Sequence, residues 1–535
     1  MQTIMKRYIK PVFVSLMAAT LFMESSCTKD FDKINTDPVA YGKENWDPNY
    51  TLSSAQLFYT GSFDFAYDTW RGNLIYSSTM MQGLSTVVSY WAGDKYMLNE
   101  SYTAAYWGTG TVGAYIEQVR NIVDVVEFTK DKPKYANLHN VARIWKALIF
   151  ARLTDLYGDV PYSEAGLGFY TKVYKPKYDK QQDIYTDLLK ELEAATAALK
   201  DDGDKVTGDV IYKGDIAKWR KFGNSLLLRT AMRLVKVDEA KAKEYVQKAA
   251  GKTMDSNADN AFILHDESGS RVTQNRNSQV LLGDGGQENY YVKWSKTFID
   301  YLKSNNDPRL QKVAVTKLYL SEKDKGQNGS FITDPTKQKG MPNGKDLGSN
   351  AQYNISSDPS YTTFAEYSSP NPNMIKRTGA TFILTYGESE LLLAEAAQRW
   401  GIGGSASDHY KKGVKASITY LNQYDGSLAI SDADAETYLA ANPFNAADAL
   451  KQINTQYWAH TITMMDFYET WSNWRRSGYP ALTPVNYPGN ATSGTIPRRF
   501  PYPSTEAAIN GENYRAASAA VPGGDKLSGR VWWDK

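Results

Sequence analysis

The stretch VARIWKALIFARLTDLYGDV, residues 141–160, decides the fold class of this chain. Its large apolar residues recur with the 3.6-residue period of an amphipathic helix. They are Val141, Ile144, Trp145, Leu148 and Leu156. Gly158 follows them, and glycine commonly ends a helix. The stretch therefore predicts one long helix that ends at Gly158.

Outward from this stretch, further segments carry the same helical period. One runs from Ile184 to Leu199, the next begins at about Asp215, and a later pair covers 391–397 and 410–421. Sustained alternation of apolar and polar residues, which predicts strands, is rare. We therefore expect a mostly α-helical protein.

The helix that begins near Asp215 contains the opening pattern of a tetratricopeptide repeat, at Trp219, Phe222, Gly223 and Leu226. In this pattern a large ring and an apolar residue pack across a glycine that lets the partner helix approach. One copy would equally fit a helix with a close-packing glycine. Because predicted hairpins surround it, we favour a tetratricopeptide-like scaffold of helical hairpins.

Two long segments, 252–295 and 321–380, have a different composition, rich in Gly, Asn, Ser, Asp and Pro. They are too long for simple connectors and include the β-prone piece 261–264. We predict a loop-rich subdomain with short β-strands at about 251–380. The body 51–535 would then comprise this insertion, a helical frame at about 51–250 and 381–480, and an irregular C-terminal segment at 481–535.

Composition and charge exclude several classes of protein. The 535 residues include 61 Lys and Arg against 59 Asp and Glu, without the basic excess that nucleic-acid binding requires. We expect no nucleic-acid partner. A hydrophobic content of 42% is typical of a globular chain and too high for a disordered one. The single cysteine, Cys27, excludes a disulfide framework.

Residues 1–26 are typical of an export signal. Lys6, Arg7 and Lys10 form a basic start, and the apolar stretch 11–23 that follows is too short for a permanent membrane helix. Removal of the signal takes three basic residues and one acidic residue, which leaves the mature chain formally neutral.

The end of this signal resembles a bacterial lipobox. Ser25 and Ser26 precede Cys27, although Glu24 stands where a small or aliphatic residue is usual. We predict lipid attachment at Cys27 and a tether with the N-terminal segment at 27–50. The alternative is a plain secretory signal with an unmodified cysteine.

Several further motifs follow one another from the tether to the C-terminus. They are Asn35-Thr36-Asp37-Pro38, the segment 154–165, the turn Asn306-Asp307-Pro308-Arg309, and the blocks 471–480 and 496–503. In this order they resemble the SusD/RagB family of nutrient-binding outer-membrane lipoproteins. We interpret the arginines of the last two blocks as frame residues, because a planar guanidinium binds carboxylates and carbonyls between elements. They are Arg475, Arg476, Arg498 and Arg499.

The sequence carries no complete catalytic or metal-binding motif. Its four histidines are far apart, and it has no Gly-x-Ser-x-Gly elbow. The segment 255–266 resembles a calcium loop but has Asn260 and Asp266 where glycine and glutamate are needed. We predict no catalytic residue, no metal and no cofactor, with an irregular calcium site left open.

Aromatic residues concentrate in two loop segments. Six of the eighteen residues 90–107 are aromatic, against 13% of the chain, and the flexible run 283–291 ends in paired tyrosines. Exposed rings can stack on the C–H faces of sugars while polar neighbours bind the hydroxyls. We predict ligand binding by Tyr90, Trp91, Tyr96, Tyr290 and Tyr291. For Tyr90, Trp91 and Tyr96, packing in the core is an equal alternative.

The resemblance implies a lipoprotein of the outer membrane that faces the cell exterior and binds oligosaccharides without cleaving them. It also implies delivery of these ligands to a TonB-dependent transporter of the SusC type. The expected partners are the oligosaccharide, this transporter, and membrane lipid through acylated Cys27. Three alternatives stay open: capture of peptides or another nutrient in the RagB manner, a glycoside hydrolase, and a purely structural lipoprotein.

Overall fold

The long helix predicted within 141–160 is Ala136–Tyr157 in the computed structural model of the chain. Its apolar side chains are buried, and it ends at Gly158, whose φ of 88° favours glycine. The structure describes residues 46–63, 67–283, 286–324 and 330–535. The predicted export signal and Cys27 therefore lie outside the described residues.

Helices that follow one another along the chain pack as neighbours in the first part of the frame. They are Ala136–Tyr157, Gln181–Ala197, Ile216–Met232 and Glu239–Ala249. A Cβ atom at Gly223 would lie 2.1 Å from Thr196 Oγ1, so glycine permits the close approach of the second and third of these helices. The prediction of tetratricopeptide-like hairpins is confirmed.

A second group of helices lies towards the C-terminus. It consists of Tyr386–Trp400, Ala406–Thr419, Asp432–Ala441, Ala449–Met464 and Phe467–Ser477. The first two pack on each other, as the pattern at 391–421 predicted. The first begins with a capping box, in which Thr385 and Glu388 each accept a hydrogen bond from the other's backbone N–H.

The remaining helices lie before, within, between and after these two groups along the chain. The α-helices among them are Pro48–Tyr59, Glu100–Thr103, Arg120–Thr129, Gly168–Thr171, Arg276–Leu281, Glu288–Tyr291, Lys296–Ser304, Leu310–Val313, Glu506–Ile509 and Gly511–Ala520. Thr69–Ser78 and Ala114–Val119 are π-helical. None of the helices in the described ranges is long and apolar enough to cross a membrane.

The described residues form four short antiparallel strand pairs, three of which involve the loop-rich part of the chain. They join Leu84–Ser85 to Lys293–Trp294, Val160–Pro161 to Tyr178–Asp179, Ala261–Leu264 to Ala380–Leu384, and Ala314–Val315 to Ser369–Pro370. The third pair brings together residues near the two ends of the predicted insertion. A small hydrophobic core that includes Tyr290, Met341 and Phe364 packs inside the insertion.

Buried arginines join elements of the frame. Arg476 donates to both carboxylate oxygens of Glu395 at 2.7 Å, and both side chains are fully buried. Arg499 donates to the Tyr157 carbonyl at 2.7 Å, and Arg475 donates to the Arg498 carbonyl at 2.9 Å. The arginines of the closing blocks thus contact the frame, as the sequence predicted.

Candidate functional site

A half-buried group of aromatic side chains forms around the start of the π-helix Thr69–Ser78. We call this group the aromatic patch; it consists of Tyr67, Trp70, Tyr90 and Tyr102. The rings of Trp70 and Tyr90 meet edge to face with their centres 6.1 Å apart. Because π-helices are rare and frequently occur at functional sites, this segment is a candidate for binding.

The carboxylate of Glu288 joins the patch to the segment that follows the glycine-rich sequence at 283–287. Its Oε1 accepts hydrogen bonds from Trp70 Nε1 at 3.1 Å, from the Tyr90 hydroxyl, and from Trp91 Nε1 at 3.5 Å. Burial and the hydrogen bond to Glu288 raise the pKa of Tyr90. Tyr90 therefore stays protonated and acts as a donor to the carboxylate.

A cleft of about 310 Å³ opens beside Trp70 and Glu288. The other residues that line it are Ser270, Arg271, Gln274, Gln279, Val280, Gly283, Gly286 and Arg377. Gln279 donates from Nε2 to the Arg271 carbonyl at 2.8 Å, while its Oε1 is buried without a hydrogen-bond partner among the residues that the structure places. The cleft thus combines one large ring with amide, hydroxyl and charged groups, as small-molecule sites do.

The two segments singled out in the sequence come together here, but most of their aromatic rings do not face solvent. Tyr90 belongs to the patch, whereas Trp91 and Tyr96 are each 0% exposed. The Tyr96 hydroxyl accepts a hydrogen bond from Val485 N at 3.1 Å. Of the two alternatives predicted for Trp91 and Tyr96, the structure shows packing in the core and not exposed rings, because contacts distant in sequence enclose them.

The paired tyrosines of the second segment point into the insertion. Tyr290 is only 7% exposed, and its ring lies 4.8 Å from that of Tyr291 and 5.8 Å from that of Phe364. Tyr291 is half-buried and packs edge to face on Phe364 at 4.8 Å. The expectation of an exposed ring at Tyr290 is therefore wrong, and the side chain of Tyr291 is partly covered.

Sequence reasoning missed Trp70, the ring that lines the cleft. A signal was present, because Phe63, Phe65, Tyr67 and Trp70 place four aromatic residues within eight positions. This density exceeds that of the segment 90–107. The same reasoning that selected the later segments would have selected this one.

Several titratable side chains outside the cleft make contacts within the protein. Burial lowers the pKa of His265 to about 4 and that of His460 to about 3, so both are neutral near pH 7. Asp255 and Asp259, which belong to the calcium-like segment, both bind Lys221 Nζ, at 2.8 and 2.9 Å. Within the described ranges, no group of three or more His, Cys, Asp or Glu side chains could hold a metal ion.

Comparison with known proteins identifies relatives of this chain. The model of a family described as "Starch-binding associating with outer membrane", SusD-like_2, matches residues 48–503. A solved structure named chitin-binding protein is 34% identical, with a TM-score of 0.78, and the match covers 91% of this chain and 100% of that chain. No curated protein matches the chain.

Two further solved structures share the fold. One is named "Bacteroidetes AC2a SusD-like"; it is 26% identical, with a TM-score of 0.78 and coverage of 92% of this chain and 100% of that chain. The other is a SusD homolog from Bacteroides uniformis, 22% identical, with a TM-score of 0.71 and coverage of 91% and 98%.

Proposed function

The chain belongs to the SusD-like_2 family, described as starch-binding and associating with the outer membrane, and on this premise we propose that it captures oligosaccharides at the cell surface without cleaving them. The aromatic patch and the cleft form the proposed binding site. The captured glycan passes to a TonB-dependent transporter of the SusC type. The observation that carries the proposal is the position of Trp70, which belongs to the patch and also lines the cleft.

The surroundings of Trp70 favour stacking on a sugar. Its N–H is held by Glu288 at 3.1 Å, and its ring meets Tyr90 edge to face. These contacts fix the ring before a ligand arrives, so that little conformational entropy is lost on binding. A flat ring in a fixed orientation suits the C–H face of a pyranose.

The polar groups of the cleft favour a ligand rich in hydroxyl and amide groups. The Oε1 atom of Gln279 lacks a partner among the described residues and would accept a hydrogen bond from a ligand. An acetamido N–H or a sugar hydroxyl could supply it. Because a 34% identical structure carries the name chitin-binding protein, chitin oligosaccharides are the first ligands to test.

The carboxylates near the site support binding without hydrolysis. Glycoside hydrolysis generally uses two carboxyl groups that face each other across the bond to be cleaved. Glu288 is the one carboxylate among the described residues that line the cleft, and three donors already occupy its Oε1. These observations favour capture over a glycoside hydrolase.

The proposed location rests on the sequence and the family. The lipobox-like residues before Cys27 favour a lipid anchor in the outer membrane, and the family description places its members at that membrane. A protein at this location is well placed to deliver a captured glycan to an outer-membrane transporter.

Calorimetric titration of a soluble chain that begins at Thr28 would test the proposal. We expect binding of chitin, starch or related oligosaccharides, with no new product after prolonged incubation. Cleaved products would support the hydrolase alternative instead. Binding of short peptides but of no glycan would support peptide capture in the RagB manner and would contradict our proposal.

A further inference from the structure

Arg71 follows Trp70 on the π-helix and lies among the rings of the aromatic patch. Its Cζ atom is 3.7 Å from the centre of the Tyr67 ring and 5.0 Å from that of Tyr102. The Trp70 ring centre is 5.8 Å away. These distances place the guanidinium within cation–π range of three rings.

No acidic side chain that the structure places lies within ion-pair distance of Arg71. Its Nε atom is buried and has no hydrogen-bond partner among the residues that the structure describes. Four buried arginines of the frame differ, because each of them binds a carboxylate. These pairs are Arg152 with Asp466, Arg229 with Glu388, Arg233 with Glu469, and Arg476 with Glu395.

This arrangement leaves the positive charge of Arg71 only partly compensated. Partial burial of a charge costs free energy unless an opposite charge or hydrogen bonds offset that cost. Cation–π contacts offset part of that cost, about 0.5–2 kcal/mol for a ring. They cover the faces of the guanidinium but do not satisfy its N–H groups.

We propose that Arg71 binds the acidic group of an oligosaccharide, either the carboxylate of a uronic acid or a sulfate ester. This inference rests on the proposed function and names the ligand class more closely. Two N–H groups in the plane of a guanidinium match two oxygens of such an anion. A sugar stacked on Trp70 would bring its acidic substituent to Arg71, the next residue on the same helix.

The test compares an acidic ligand with its neutral form. A galacturonic acid oligomer and its methyl ester have the same rings and differ in charge. We expect the wild-type chain to bind the acid at least 10-fold more tightly than the ester, and this preference should decrease with salt concentration. A sulfated oligosaccharide and its desulfated form would show which of the two anions is preferred.

Two variants assign the effect to Arg71. In Arg71→Gln the preference for the acid should disappear, while affinity for the ester stays within about twofold. Arg71→Lys should keep part of the preference, because it retains the charge but lacks the planar fork. Arg220→Gln removes a surface arginine that pairs with Asp201 and should change neither affinity.

The possible outcomes separate this inference from the proposed function. Equal affinity of the wild-type chain for the acid and the ester would overturn the acidic-ligand inference and leave glycan capture intact. Equal loss of both affinities in Arg71→Gln would also overturn it, since Arg71 would then only position the tyrosines. Binding of neither glycan, with Arg71-dependent binding of peptide carboxylates, would overturn both proposals.

Discussion

Glu288 and Trp70 are 218 residues apart in sequence, and the carboxylate of the first accepts a hydrogen bond from the indole N–H of the second at 3.1 Å. The same carboxylate oxygen accepts from the Tyr90 hydroxyl and from Trp91. One buried acid thus fixes the polar edges of three rings that come from two chain segments. The shape of the proposed site depends on this contact.

Replacement of Glu288 should weaken ligand binding without direct loss of a stacking ring. In Glu288→Ala the Trp70 ring loses the acceptor that orients it, so we expect about a 10-fold loss of affinity, equivalent to ~1.4 kcal/mol. Glu288→Gln keeps an acceptor oxygen, so its loss of ligand affinity should be smaller. Calorimetry with the best glycan ligand measures both. Wild-type affinity in Glu288→Ala would mean that the carboxylate does not position the patch.

Trp91 should prove to be a stability residue. Because its ring is 0% exposed, Trp91→Ala leaves a cavity and should lower the free energy of unfolding by about 3–5 kcal/mol. Tyr90→Phe should lower the free energy of unfolding far less, because Tyr90 is half-buried and loses only its hydroxyl. Urea denaturation followed by circular dichroism compares the two variants. A stable Trp91→Ala chain with impaired binding would restore Trp91 as a ligand contact.

Lys293 should make stability depend on pH in the alkaline range. Its Nζ donates to Ser369 Oγ at 2.8 Å, and burial lowers its pKa from 10.5 to about 7. Between pH 7 and about 10.5 the unfolded chain binds a proton that the folded chain does not, so stability rises with pH across this window. Below pH 7 Lys293 is protonated in both the folded and the unfolded chain, and the free-energy cost of burying its charge has its full value.

Lys293→Met should therefore raise the free energy of unfolding at pH 7 by ~1 kcal/mol or more and reduce its rise towards pH 10. Urea denaturation at several pH values measures this. Lys296→Met removes an exposed lysine that pairs with Asp300 and serves as the control. An unchanged pH profile in Lys293→Met would show that Lys293 stays charged when folded.

The pair of Glu395 and Arg476 should also make stability rise with pH, but in the acid range. Burial opposes ionisation of Glu395, but Arg476 outweighs it and lowers the pKa to about 2 from 4.5. The stabilisation is present above pH 4.5 and is lost as the pH falls towards 2. Glu395→Gln should lower the free energy of unfolding at pH 7 by about 3–5 kcal/mol, because it leaves a buried charge unpaired.

The double variant Glu395→Leu with Arg476→Met should recover much of that loss, because neither charge then remains buried. Urea denaturation at pH 7 gives both values, and a series down to pH 3 tests the pH dependence. A loss in the double variant equal to the sum of the losses in Glu395→Leu alone and Arg476→Met alone would show that the side chains do not act as a pair.

The sequence predicted the helical frame well because helices are periodic. The apolar repeat from Val141 to Leu156 and the glycine at 158 located one helix and its end. The spacing around Gly223 predicted a close helix contact, and the structure places Thr196 against it. In each case the signal lies within a few residues of the chain.

The candidate site was predicted only as a region, because loops have no such period. Trp91 and Tyr90 are adjacent in sequence, yet one is enclosed and the other belongs to the patch. Which ring faces outward is decided by contacts with residues far along the chain, such as Glu288 and Val485. No local pattern reports such contacts, although the aromatic density at 63–70 would have indicated the region of Trp70.

Titration of one oligosaccharide into three chains tests the central claim most directly. In Trp70→Ala we expect at least a 10-fold loss of affinity, because the stacking ring of the cleft is removed. Trp400→Ala is the matched control: Trp400 is also half-buried and also donates its N–H to a glutamate, Glu239, at 2.7 Å, but it does not line the cleft. The affinity of the Trp400→Ala chain for the oligosaccharide should equal that of the wild type. Wild-type affinity in Trp70→Ala, in a chain that melts cooperatively, would contradict glycan capture at this site.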